Sequence, residues 1–142
     1  MTEISRSIEI SAPTDKVWSH IDPKNWTQIF HSIQRVNGYS SGKPGIGTQA
    51  TVVAGVNEES AIKYNIEITE FQEKQKIEYK RFGGPLTGRG MIRLRPLQKG
   101  TLLTRTSYYD DDLSEETIQA LSEGMENDNE KIKTTIESKN KK

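Results

Sequence analysis

A chain of 142 residues is near the commonest size of a single domain and can close one hydrophobic core, which leaves little for a second. Lysine plus arginine and aspartate plus glutamate number 20 each, so no net field draws the chain to a polyanion, and nucleic-acid binding is disfavoured. Cysteine is absent, which excludes disulfides, thiolate zinc sites, iron–sulfur clusters and cysteine nucleophiles.

Residues 3–12 alternate, with Ile4, Ile8 and Ile10 on one face and Ser5, Ser7 and Glu9 on the other, as in a half-buried strand. Pro13, Thr14 and Asp15 open a short helix that runs to about Ile21. Proline suits a first turn, and short oxygen-bearing side chains accept orphan backbone N–H groups. Asp22-Pro23 interrupts the helix, and a second short helix over about 25–32 is predicted to turn Trp26, Ile29, Phe30 and Ile33 toward a core.

From Gln34 the period shifts to two. Turn chemistry recurs at Asn37-Gly38, Ser41 to Gly45, Asn57 to Glu59, Glu73-Lys74, Gly83-Gly84-Pro85 and Gln98-Lys99-Gly100. The extended segments between these turns, at about 33–39, 46–55, 60–71, 75–82, 86–97 and 101–110, form an antiparallel meander. With the first strand they make seven.

Ser114 is the expected N-cap of a long final helix, with Glu115 and Glu116 in the first turn, where the helix dipole favours negative charge. Ile118, Leu121, Met125, Ile132 and Ile136 recur at helical spacing, and Asp128 and Asn129 fill the turn that breaks the stripe. The Lys-rich stretch at about 138–142 is expected to fray. A sheet this long curls, and the last helix is the only element long enough to cover its concave face. The fold class is α+β, in one domain over 1–142.

Several pieces stand in a telling order and spacing: Ile8 to Pro13 followed by Val17-Trp18, Asp22-Pro23 with Trp26, Gly45-Ile46-Gly47-Thr48 opening a strand, Ile68 to Phe71, Leu94 to Leu97 and Gly100 to Leu103. Together they resemble the SRPBCC or START-like superfamily, which includes polyketide cyclase/dehydrase-type proteins, birch-pollen-allergen relatives and steroidogenic lipid-transfer domains. The resemblance covers almost the whole chain. It implies a helix-grip fold, in which a seven-stranded curved sheet holds the long helix with a cavity between them. Members variously carry lipids and hormones, cyclise polyketides, assist chaperones or join larger assemblies, so the fold alone nominates no single activity.

Alternation assigns side chains to the concave face. If Leu103 points inward, Arg105, Ser107 and Tyr109 share its side, and Arg6 shares that of Ile4 and Ile8. Ile62, Tyr64, Ile66 and Ile68 fall on one face, and Ile77, Tyr79 and Arg81 on another. A buried arginine at 105 needs a partner, which Asp128 can supply; the other reading has Arg105 and the tyrosines offering hydrogen bonds to a polar group on an apolar ligand. The candidate ligand-binding wall is Trp26 beside the short helices; Tyr64, Ile66 and Tyr79; Ile92 and Leu94; Leu103, Arg105 and Tyr109; and Met125, Asn129 and Ile132 on the last helix. Gly88 and Gly90 are expected to leave empty room beside that helix.

His20 and His31 lie on separate short helices without carboxylates at metal spacing, so neither a metal nor any other cofactor is expected. Asp110, Asp111 and Asp112 lack the alternating ligands of a calcium loop, and the glycines lie between strands, without a nucleotide fingerprint. No catalytic dyad is visible, and no catalytic residue is nominated. The leading expectation is binding or transport of a small hydrophobic molecule, a lipid or polyketide-like metabolite, by a monomer or homodimer. A cyclase or dehydratase and a ligand-free interaction adaptor are the alternatives. The first residues lack a basic stretch with an apolar h-region, and no apolar run approaches the roughly 20 residues that span a bilayer. A cytoplasmic protein without integral membrane association is expected.

Overall fold

The computed structural model describes residues 1–26, 33–37, 45–54 and 62–140. Seven antiparallel strands run in the order β1-β7-β6-β5-β4-β3-β2. They are β1 (Thr2–Ile10), β2 (Ile33–Asn37), β3 (Gln49–Ala54), β4 (Ile62–Gln72), β5 (Lys76–Phe82), β6 (Gly88–Leu97) and β7 (Gly100–Tyr109). Among the described residues two α-helices accompany them, α1 (Thr14–Ile21) and α2 (Glu115–Asn140). Every consecutive pair from β2 to β7 is a neighbour, so short loops suffice, and β1 closes the sheet by pairing along the full length of β7, from Thr2 opposite Tyr109 to Ile10 opposite Thr101.

The core lies between the concave face and α2. Ile77, Ile92, Leu94 and Leu103 on the strands meet Ile132 and Ile136 of the helix in one cluster with Ile10, Val17, Trp18, Ile21 and Trp26. A second, smaller cluster joins Ile4, Tyr109 and Met125. Burying each of these aliphatic side chains contributes about 1.5–3 kcal/mol, the main favourable term here.

Strand alternation assigns the faces as expected away from two register shifts, one in β2 between Ile33 and Arg35 and one in β4. In β4 the register shifts between Ile68 and Glu70, so Thr69 is an extra residue. After the bulge Phe71, instead of Glu70, packs against the core, its ring edge-on to Trp18 at 5.5 Å. Lys74, at φ 67°, takes the left-handed position of the β4–β5 turn.

Both helix starts show how backbone N–H groups are satisfied. Ser114 caps α2, its Oγ accepting from Thr117 N at 3.2 Å. In α1 the expected side-chain cap is absent: Pro13 occupies the cap with extended backbone, and its carbonyl accepts from Lys16 N and Val17 N. Pro23–Asn25 forms a 3-10 turn capped by the Asp22 carboxylate. Ile29, Phe30 and His31 of the predicted second short helix lie outside the described residues, and Ile33 opens β2 instead of closing a helix. Helix α2 continues through Asn140, into the stretch expected to fray.

Candidate functional site

The predicted wall residues converge on the concave face, but they divide into two regions. Ile66, Ile92, Leu94, Leu103 and Ile132 are closely packed in the larger cluster. Trp26, also buried there, donates from Nε1 to the Ile21 carbonyl at 2.8 Å and stands edge-on to Tyr79 at 6.4 Å. It floors this region. Tyr109 and Met125 belong to the smaller cluster.

Polar side chains are buried on the same concave side. Arg105 Nη1 lies 3.6 Å from Asp128 Oδ2, joining β7 to α2, and the two side chains are only 15% and 10% exposed. The expected internal ion pair is therefore present. Asn129 follows it on α2, 2% exposed, with Oδ1 lacking a hydrogen-bond partner among the described residues. At the rim, Arg6 on β1 pairs with Glu126 of α2 at 3.0 Å.

Sequence reasoning placed Arg81 on the face of Ile77 and Tyr79 but did not nominate it. It is 4% exposed. Its guanidinium lies 4.3 Å from the centroid of the Tyr109 ring and 5.7 Å from that of Tyr64, and Nη1 donates to the Tyr108 carbonyl at 3.1 Å. A signal was available, since alternation puts Arg81 on the same inward face as Ile77 and Tyr79. Burial pushes the Tyr64 and Tyr109 hydroxyls upward from the ordinary tyrosine range despite the opposing pull of Arg81, so both stay neutral at physiological pH.

The room expected at Gly90 is taken. A Cβ there would lie 2.3 Å from Cζ and Oη of Tyr79, whose ring rests over this glycine from the paired position on β5. At Gly88 a Cβ would meet the Tyr108 carbonyl oxygen at 2.0 Å. These glycines admit a ring and a neighbouring strand, leaving no void of their own.

Tyr64 and Tyr79 are half-buried against the larger cluster, and Leu86, Ile118 and Leu121 are half-buried against the smaller. A separate groove of about 390 Å³ opens between α1 and α2, lined by Ser19, His20, Asn25, Lys131, Thr135 and Lys139 and touching the predicted wall only at Ile132. Another, of about 480 Å³, lies near the β4–β5 turn, against Thr14, Lys74, Arg93 and Pro96. Among the described residues no group of acidic or histidine side chains has the arrangement of a metal site. No helix of the described residues is long and apolar enough to cross a membrane.

The sequence from residue 1 to 137 matches the family described as polyketide cyclase / dehydrase and lipid transport. The chain belongs to this family. No curated protein matches it. Among solved structures it is similar to Ara h 8.0201, at 16% identity over 96% of this chain and 98% of that one, with a TM-score of 0.73. TTHA0849 from Thermus thermophilus shares 16% identity over 95% and 97% of the two chains, with a TM-score of 0.73. The Aha1 dimer from Colwellia psychrerythraea, a solution structure, shares 12% identity over 96% and 97%, with a TM-score of 0.71. At such identities the likeness establishes the fold: family members of the helix-grip type share this curved sheet and long C-terminal helix.

Proposed function

We propose that this family member binds a small hydrophobic molecule, a lipid or polyketide-like metabolite, on its concave face, and that it does so as one cytoplasmic domain. The observation that carries this reading is the set of incompletely buried apolar side chains packed against the two clusters, Tyr64 and Tyr79 on one and Leu86, Ile118 and Leu121 on the other, on a face that also buries Arg81, Arg105 and Asn129. A largely apolar surface with a few convergent polar atoms is the usual constitution of a small-molecule site. The family description, which includes lipid transport, supports the same class of ligand. Ile66, Ile92, Leu94, Leu103 and Ile132 then serve as a packed base, with Tyr64, Tyr79, Tyr109 and Met125 nearer the ligand.

Native mass spectrometry of the purified protein, followed by solvent extraction, tests this. A copurified apolar molecule at near one-to-one ratio supports the binding role and reveals its class. A clean apo mass, with no thermal shift from sterols, fatty acids or aromatic polyketides, overturns it in favour of the adaptor reading.

A further inference from the structure

Arg81 is, among the described residues, a buried cation without a counter-charge. Among the described residues no carboxylate forms an ion pair with it. Its Nε is buried and makes no hydrogen bond. What surrounds it is neutral: the Tyr108 carbonyl and the rings of Tyr109 and Tyr64. A guanidinium remains protonated in any protein, so this charge cannot be relieved by titration.

The neighbouring polar groups leave the charge uncompensated. Arg105 is matched by Asp128, which makes that pair neutral, and Tyr64 and Tyr109 are held in their neutral forms by burial. Arg81 is left with no carboxylate of its own among the described residues. Burying an unmatched charge costs several kcal/mol, and ring faces and one carbonyl return only part of that.

The backbone around Arg81 is arranged to hold it there. Gly88 stands between Arg81 and Tyr109 in the strand register, and a Cβ on Gly88 would collide with the Tyr108 oxygen that accepts from Arg81. Tyr64, itself only half-buried, faces the guanidinium from the neighbouring strand β4 at 5.7 Å.

We infer that the ligand is a monoanion, an apolar body ending in one carboxylate, and that Arg81 receives this group beside Tyr64 and Tyr109. This rests on the hydrophobic-ligand reading above and narrows it. A planar carboxylate matches the fork of a guanidinium, and the exchange of Tyr64 for the ligand's oxygens at the guanidinium replaces a ring contact by charge-assisted hydrogen bonds. Binding of one such group supplies Arg81 with a counter-charge.

The test uses dodecanoate, dodecanol and methyl dodecanoate, measured by displacement of a fluorescent apolar dye from the full chain. Wild type is expected to bind the acid at least about tenfold more tightly than the alcohol or ester. Arg81→Met is expected to abolish the preference for the acid over the alcohol and ester, and Arg81→Lys to restore part of it. Equal binding of acid and alcohol by wild type overturns the carboxylate assignment and leaves the hydrophobic site standing. Failure of all three probes to bind overturns both. Should Arg81→Met not fold, carboxyl-13C dodecanoate on wild type decides: its bound pKa is expected to fall below that of the free acid, whereas a rise, the effect of apolar burial alone, overturns the proposal.

Discussion

Arg105 on the last strand and Asp128 on the C-terminal helix face each other at 3.6 Å, tying the helix to the sheet it covers. Breaking such a pair from one side leaves a charge stranded in a poorly solvated place. Asp128→Ala is expected to lower stability by about 3 kcal/mol, read as a fall in the urea midpoint at unchanged slope. The double variant Arg105→Met/Asp128→Leu should recover most of that loss. If Asp128→Ala costs as much in the Arg105→Met background as in wild type, the two residues are not coupled.

Tyr79 and Gly90 form a second dependent pair, because the ring occupies the place where a β-carbon would stand. Gly90→Ala forces the ring to swing, and overpacking of this kind costs about 1–3 kcal/mol. Replacing Tyr79 by valine in the same chain should remove most of the penalty. Thermal melts of the two single variants and the double variant measure this, and additive losses would show that the contact does not matter.

Glu137 gives acid stability a specific source. Its carboxylate accepts from Lys133 Nζ and from the Ser11 backbone N–H at 2.8 Å, which clamps α2 to the end of β1. These hydrogen bonds, that to Lys133 first, lower its pKa from the ordinary glutamate value. A carboxylate with a depressed folded-state pKa stabilises above its unfolded pKa of about 4.3, and that stability is lost as pH falls through the folded value. Glu137→Gln should therefore be less stable than wild type at neutral pH, with the gap narrowing as pH falls below the unfolded glutamate value. A gap that persists unchanged in acid would assign the effect to packing.

The tyrosines set the alkaline limit. Burial raises the pKa of Tyr64 and Tyr109, so the folded state favours their neutral forms. A raised acid pKa contributes stability below the unfolded value of about 10, and the contribution declines as pH climbs beyond it. Ultraviolet titration should show phenolate absorbance arriving late, together with unfolding, and the Tyr64→Phe and Tyr109→Phe variants should each lose part of that late step. Complete ionisation at about pH 10 in the folded state would contradict the burial of both rings.

Much of the site was legible because strand geometry is local. Side chains alternate with period two wherever a strand exists, so the shared face of Leu103, Arg105, Ser107 and Tyr109 followed from the residue order, and Asp128 as partner to Arg105 followed from its place on the apolar side of the helix. The cap at Ser114 was readable for the same reason, since its partner is three residues away. The bulge at Thr69 was not readable. It depends on how β4 fits β5, and it decides that Phe71 turns inward.

The amino-acid sequence by itself determined the order of elements, the face each strand buries and the absence of thiol chemistry, because these rest on periodicity and residue inventory. Only the tertiary structure decided that the glycine expected to open a void lies under the Tyr79 ring, and that Arg81 meets aromatic rings and a carbonyl with no carboxylate beside it among the described residues. Both depend on which strand lies next to which and in what register, and such pairings join residues whose own neighbours in the chain carry no trace of the contact.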